Sequence, residues 1–248
     1  MESRVHLQPA YVLHRHAFQN TSLLVDFFTI DYGRGRTVAK GARSAKSKYR
    51  SLLQLFHPLL VSFSGKGDMK TVTGIESGHA AINLEGQRLF SGLYINELLT
   101  RLMLNHVEHK SLYKSYQDAL VSLQGDENIE IVLRRFELSL LSELGYGINL
   151  ESDCHSHEPI ESAKSYRFTP DIGFELSQES SHGGTSVGGS NTRLFLGEHI
   201  QAIQQLQLDD SDASRAAKRL LRLALNAHLG EKPLMSRSLF VSSEQAQE

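Results

Sequence analysis

The chain has 248 residues, of which 40% are hydrophobic, and a formal net charge of −2; that length can bury a real core and suits two or three small domains. No stretch is apolar for long enough to span a bilayer, Met1 to Phe18 lacks the apolar centre of a signal peptide, and a single cysteine, Cys154, excludes an internal disulfide framework and fits a reducing cytoplasm. The small total charge hides an asymmetry: residues 1–80 carry 11 Lys and Arg against 5 Asp and Glu, whereas residues 81–248 carry 15 against 23. A basic module joined to a mildly acidic body points to a polyanionic partner for the basic part.

From Ala10 to about Gly78 the pattern is that of short strands. Tyr11–His14 opens the set, and Thr21–Thr29 follows with Leu23, Val25 and Phe27 on one face. Tyr32-Gly-Arg-Gly35 is a turn signal, and Arg36–Ala39 returns as the second arm of a hairpin. Leu59–Phe63 alternates again, Gly65-Lys-Gly-Asp68 turns, and Met69–Ile75 completes a second hairpin. Five short strands with glycine turns in about 80 residues predict a small closed β-barrel of the oligonucleotide-binding (OB) type.

Between the two hairpins lies a basic run, Gly33 to Arg50, with seven cations (Arg34, Arg36, Lys40, Arg43, Lys46, Lys48 and Arg50) and no acidic residue. Unpaired charge at this density needs water or a polyanion beside it. A P-loop would require Gly-x-x-x-x-Gly-Lys-Ser/Thr, which neither Gly35 nor Gly41 begins, and Gly33-x-Gly35 sits in a hairpin turn, where no dinucleotide fingerprint belongs. The run is therefore read as a sequence-independent phosphate track, helped by Lys66 and Lys70, with Phe18, Tyr32 and Tyr49 as candidate base-stacking aromatics. The bland alternative is a solvated loop.

At Leu84 the period changes to helical. Leu89, Phe90, Leu93, Tyr94, Leu98, Leu99, Leu102 and Met103 mark a first helix, Leu112 to Leu123 a second that stops at Gly125, and Ile129 to Leu144 a third that stops at Gly145-Tyr-Gly147. Three amphipathic helices in succession predict a bundle. Residues 149–192 read as irregular, with a flexible tip at Ser180–Asn191. Helical pattern resumes over Leu194–Leu206 and again from Ala213 to Leu229, the latter preceded by Asp209, Asp210 and Asp212, where negative charge favours a helix start. That last helix gathers Arg215, Lys218, Arg219 and Arg222 on one face. They form a solvated surface or a second nucleic-acid contact. Arg134 and Arg135 flank the inner stripe of the third helix beside Leu138, a rim suited to a peptide carboxylate and an apolar end, or simply a surface pair with Glu130 or Glu137. Cys154-His-Ser-His157 has the spacing of half a zinc clip, and the other half is missing, so no metal or other cofactor is expected. No nucleophile with a recognisable base appears, so catalysis is not supported.

In order along the chain, Ala10-Tyr-Val-Leu-His14, Thr21-Ser-Leu-Leu24, Val38-Ala-Lys-Gly-Ala-Arg43, Ser91-Gly-Leu-Tyr-Ile-Asn-Glu-Leu-Leu99, Leu133-Arg-Arg-Phe-Glu-Leu138, Leu144-Gly-Tyr-Gly147, Ala216-Ala-Lys-Arg219 and Leu229-Gly-Glu-Lys-Pro-Leu-Met-Ser-Arg237 resemble the RecO family of bacterial DNA repair proteins. The resemblance implies an α+β chain: an OB barrel over 1–80, a helical domain over 81–248, and an irregular insertion at about 149–192. That insertion is a degenerate zinc knuckle, because only Cys154 remains of its four cysteines, as in the zinc-free proteobacterial branch. The resemblance also implies a non-enzymatic recombination mediator that binds single- and double-stranded DNA, anneals complementary strands, and works with RecR to load RecA onto strands coated by single-stranded-DNA-binding protein (SSB). By the same resemblance the C-terminal tail of SSB meets Arg134 and Arg135 beside Leu138, and the protein is cytoplasmic and nucleoid-associated. The rival readings are an RNA-binding OB module fused to a regulatory helical domain, and an enzyme acting on nucleic acid.

Overall fold

A computed structural model describes residues 3–177 and 193–239. The expected flexible tip at Ser180–Asn191 lies outside them. The chain forms two compact units, residues 1–129 with 233–248, and residues 130–232.

The first unit is built on a closed five-stranded barrel. Its strands are β1 (Ser3–Phe18), β2 (Ser22–Thr29), β3 (Gly33–Ala39), β4 (Leu59–Gly65) and β5 (Lys70–Ser77), in the order β1-β2-β3-β5-β4. All pairings are antiparallel except the short parallel contact of β3 with β5 at Thr37↔Lys70 and Val38↔Thr71. β1 is long because it serves both sides of the closure, pairing with β4 through its first half and with β2 through its second. The inward residues Val5, Val12, Val25, Phe27, Leu59, Val61, Phe63, Val72 and Ile75 form the barrel core.

β1 shifts register between Val12 and His14. Such a bulge reverses which face later residues occupy and turns backbone groups out of the ladder. Before it, Val12 points into the core; after it, His14, His16 and Phe18 pair with Asp26, Leu24 and Ser22, the outward row of β2. The carbonyls turned out at Val12 and Leu13 are taken by the amide of Asn96, at 3.5 and 3.2 Å. Asn96 lies on α1 (Gly86–Leu102), and its Oδ1 accepts the hydroxyl of Tyr116 on α2 (Lys110–Gln124) at 2.8 Å. Around this bond Tyr11 and Phe28 meet Tyr113 and Tyr116, with ring centroids 5.1 to 5.9 Å apart. α1 and α2 therefore group with the barrel, and the third helix of the expected bundle belongs to the other unit.

The first unit also takes back the end of the described chain. Glu97 on α1 accepts the backbone N–H groups of Met235 and Ser236, at 2.9 and 2.8 Å, and the Ser236 hydroxyl at 2.6 Å. Burial pushes this carboxylate's pKa up, but those bonds and nearby Arg101 outweigh it and hold the pKa low.

The second unit contains α3 (Ile129–Glu143), β6 (Ser165–Thr169), β7 (Gly173–Leu176), β8 (Leu194–Leu196), α4 (Gly197–Gln205) and α5 (Ser211–Leu229). Two expectations change here. The stretch read as irregular holds two strands, and the helix read from Leu194 starts only at Gly197, because Leu194–Leu196 joins β6 and β7 in a three-stranded sheet of order β7-β6-β8. The cause is burial: Tyr166 and Phe168, Phe174, and Phe195 each point one way from their strands, and Phe168, Phe174 and Phe195 close a common core. Gly197 must stay bare where helix meets strand, since a Cβ there would lie 2.0 Å from the Glu161 carbonyl oxygen. Of the acidic residues before α5, Asp210 is the cap, accepting the N–H groups of Asp212 and Ala213.

Replacing Asn96 with Ala would strand the buried Tyr116 hydroxyl and the released carbonyls of β1. We expect a loss of about 2–4 kcal/mol, read as a lower urea midpoint at unchanged slope. A shift below roughly 0.5 kcal/mol would show that the joint is not structural.

Candidate nucleic-acid interface

The basic run begins as barrel strand β3 and, from Lys40 on, folds as the plug of the barrel. Beyond β3 the chain winds through successive turns, with Ser44 N–H donating to the Gly41 carbonyl, Ser47 N–H to Ser44 and Leu53 N–H to Tyr49, at 2.9 to 3.0 Å. Two of its side chains, Ala42 and Leu53, are fully buried in the barrel core, and Tyr49 and Leu52 pack against that core. Arg15, which no motif in the sequence singles out, fastens the plug from β1: its Nη1 donates to the Leu53 carbonyl at 2.5 Å and its Nη2 to Gln54 Oε1 at 2.7 Å. At the other end Arg43 N–H donates to the Thr21 carbonyl at 2.8 Å.

This architecture divides the predicted cations into two kinds. Lys40, Arg43, Lys46, Lys48, Arg50 and Lys66 are exposed, and among the described residues none is in an ion pair. Arg43 reaches the Gln19 carbonyl at 3.3 Å, and Lys48 lies 5.5 Å from the Tyr49 ring centroid. Their charges face water from a braced platform. Arg34 and Arg36 are different. Arg36 makes a bidentate pair with the buried carboxylate of Asp26, at 2.7 and 3.0 Å, and that bond raises its pKa. Arg34 is half-buried with Nη1 on the Met103 carbonyl at 3.2 Å, and burial lowers its pKa. Lys70 donates to the Gly65 carbonyl at 3.2 Å. Arg34 and Arg36 thus brace the barrel wall, Arg36 with its side chain still 45% exposed beside Asp26.

The cations of α5 are mostly occupied. Arg215 pairs with Asp212, and Lys218 lies 3.3 Å from Glu130. Arg219 donates to the Leu194 carbonyl at 2.6 Å and lies 4.4 Å from the Phe195 ring centroid, so it ties β8 to α5. Arg222 is exposed. On α3, Arg134 is only 5% exposed and is held by Glu137, with Nη2 to Oε1 at 3.0 Å and Nε to Oε2 at 2.9 Å. The neighbouring Arg135 is exposed, and Leu138 is half-buried.

The remnant of the knuckle is organised by a carboxylate. Asp153 accepts the N–H groups of His155 and Ser156 through Oδ1, at 2.8 Å each, and that of Leu176 through Oδ2, at 2.6 Å. Burial pushes the Asp153 pKa up, but these bonds outweigh it and hold the pKa below the ordinary value. Burial, with the Asp153 charge adding to it, pushes the Cys154 thiol pKa up, the opposite of what a metal-ligating thiolate needs. Among the described residues no three His, Cys, Asp or Glu side chains converge as a metal ligand set. The residues present do not fit the zinc of a knuckle.

Two outcomes test this assignment of charges. Arg36→Ala leaves Asp26 buried without its partner and should cost about 1–3 kcal/mol, seen as a lower melting temperature; Lys46→Ala should stay within about 0.5 kcal/mol. Because the folded pKa of Asp153 is depressed, its contribution is complete above the ordinary aspartate range and is lost as pH falls through the folded value. Asp153→Asn should therefore be less stable than the parent at pH 7, and the gap should close below about pH 4 in acid unfolding curves.

With this geometry in place, comparison with known proteins gives a single answer. Residues 1–80 match the family model described as "Recombination protein O N terminal", and residues 84–238 match "Recombination protein O C terminal". The chain is 42% identical over 234 residues to the DNA repair protein RecO of Shigella flexneri, covering 94% of this chain and 93% of that one. The same identity over the same length relates it to the DNA repair protein RecO of Klebsiella pneumoniae (strain 342), covering 94% and 91%. The chain belongs to the RecO family of DNA repair proteins.

Proposed function

We propose that the protein is a non-enzymatic mediator of DNA repair and recombination that binds single- and double-stranded DNA, anneals complementary strands and, with RecR, helps load RecA onto SSB-coated single strands. The observation that carries the DNA-binding part is the set of exposed cations Lys40, Arg43, Lys46, Lys48 and Arg50 on a plug fastened to the barrel, with Lys66 on the β4–β5 turn, none of them in an ion pair among the described residues. A track of this kind neutralises phosphates irrespective of sequence, releasing condensed counterions as it does so. Charge neutralised on both of two strands lowers their mutual repulsion, so complementary segments can pair. Arg222 extends the reading to α5. Arg215, Lys218 and Arg219 would first have to leave their present partners.

The SSB tail contact is proposed at α3, with Arg135 meeting the tail's acidic groups and Leu138 its apolar end. Arg134 acts there as a positioning residue, its charge held by Glu137 from below. Such docking raises the local concentration of the protein on coated DNA.

Charge reversal of Arg43, Lys46 and Lys48 together should weaken DNA binding and flatten the slope of log K against log salt by about 2 for single strands. The check is a fluorescence anisotropy salt titration, with RNA of equal sequence as competitor. Unchanged affinity and slope would defeat the track, and preference for the RNA would favour the regulatory alternative. Arg135→Glu should weaken binding of an SSB tail peptide by roughly tenfold in calorimetry and spare naked DNA; equal peptide affinity would count against that contact.

A further inference from the structure

The outer face of β1 past its bulge is a row of three rings. His14, His16 and Phe18 pair in unbroken register with Asp26, Leu24 and Ser22, while the alternate partners Val25 and Leu23 face or flank the barrel core. The three side chains therefore share one face at two-residue spacing. His14 and His16 are exposed, their ring centroids 5.6 Å apart, and Phe18 is half-buried. Among the described residues none of the three is in an ion pair, and none belongs to the barrel core, so neither pairing nor packing accounts for them.

The neighbourhood of this row is cationic at the end where it stops. Arg43 sits against the β1–β2 turn, through its N–H on the Thr21 carbonyl and its guanidinium on the Gln19 carbonyl. Lys40 directly follows Ala39, which pairs with Leu23 on β2. Toward the other end the buried Asp26 is already neutralised by Arg36. The face thus combines a line of aromatic rings with phosphate-binding charge beside it and no free acid within it. Rings in a row next to a cationic track are the arrangement on which unpaired bases stack, and every base offers a π-face, so the contact is indifferent to sequence.

We infer that His14, His16 and Phe18 form a base-stacking platform for single-stranded nucleic acid, continuous with the phosphate track at Lys40 and Arg43. The inference rests on the nucleic-acid reading of that track and adds to it a preference for strands whose bases are free. A duplex keeps its bases paired inside and can use only the charges.

The test compares an oligodeoxythymidine of about 20 nucleotides with a blunt duplex of equal length, by anisotropy on the full chain. His14→Ala/His16→Ala should bind the single strand roughly tenfold or more weakly and leave duplex affinity within about twofold. Both positions are exposed, so unchanged circular dichroism melting is expected. His14→Phe/His16→Phe, which keeps the rings, should restore single-strand binding, and His14→Lys/His16→Lys, which keeps only charge, should not. Rescue by lysine and not by phenylalanine, or equal losses on both DNAs, would overturn the platform. Unchanged single-strand affinity in the alanine variant, with the Arg43, Lys46 and Lys48 reversal still damaging, would sink the platform and spare the track. No binding by the unaltered protein to either DNA would sink both.

Discussion

The first unit depends on the way its longest strand breaks. β1 must curve to pair with β2 and β4 in one barrel, and its register shifts against β4 at Val5–Gln8 and against β2 at Val12–His14 supply the bend. A bulge leaves carbonyls without ladder partners, and buried carbonyls cannot be left unpaired without a cost of about 1–3 kcal/mol each. Asn96 takes both, which fixes α1 against the barrel, and Tyr116 holds the Asn96 amide in the required orientation from α2. Burial pushes the pKa of Tyr116 well up, so its hydroxyl stays protonated and remains a donor. The surrounding aromatic contacts each add about 0.5–1.5 kcal/mol beyond their area. Glu97, the residue after Asn96, then grips the backbone at Met235 and Ser236. The bulge at Val12–His14 thereby organises part of the barrel wall, two helices and the returning end of the described chain.

The same economy governs the charges. A run of seven cations looks uniform in sequence, yet its first two members are tied into the barrel wall, Arg34 by a backbone carbonyl and Arg36 by Asp26, while those from Lys40 onward are exposed and, among the described residues, outside any ion pair. The difference follows from the element on which each sits. Arg36 is on β3 opposite Asp26, where the cross-strand distance is fixed and the pair forms of necessity. The later cations ride on a plug whose apolar side chains, Ala42 and Leu53, are inside the barrel, so its polar side chains have nowhere to point but outward. Bracing by Arg15 and by the turn bonds reduces the conformational entropy that a loose loop would lose on gripping a phosphate chain.

The barrel was legible because it rests on local signals: alternation in Leu23, Val25, Phe27 and in Leu59, Val61, Phe63, with glycines between. The plug was only half legible. Its charge was plain, but nothing local distinguishes Ala42 or Leu53, whose burial comes from residues far along the chain. Arg134 was half legible for the same reason: Glu137 lies one turn away and was visible as a partner, while the burial of the pair was not. In the second unit the signal existed and was weak. Tyr166 and Phe168 alternate, and Pro170-Asp-Ile-Gly173 is a turn between them and Phe174, yet strands of five, four and three residues give periodicity too little length to show. The role of Asn96 was illegible, because it answers a bulge that only tertiary closure creates.

On the proposed function, holding bases and letting strands anneal are in conflict, since a base stacked on a ring is withheld from pairing. The scale of the conflict is set by the length of the row. Stacking on a ring is worth about 1–3 kcal/mol per base and a paired step about 1.4 kcal/mol, so ring by ring the two are close. On the proposed reading, three rings, one of them half-buried, would retain only a few bases, whereas the cations from Lys40 to Arg50 and Lys66 would act on the backbone and leave bases free. Pairing can then begin on the unstacked stretch and advance, each new step offsetting the few contacts it displaces. A longer aromatic face would trap the strand, and none would leave single and double strands undiscriminated. A short row beside a charge track permits capture of an open strand followed by its release as duplex.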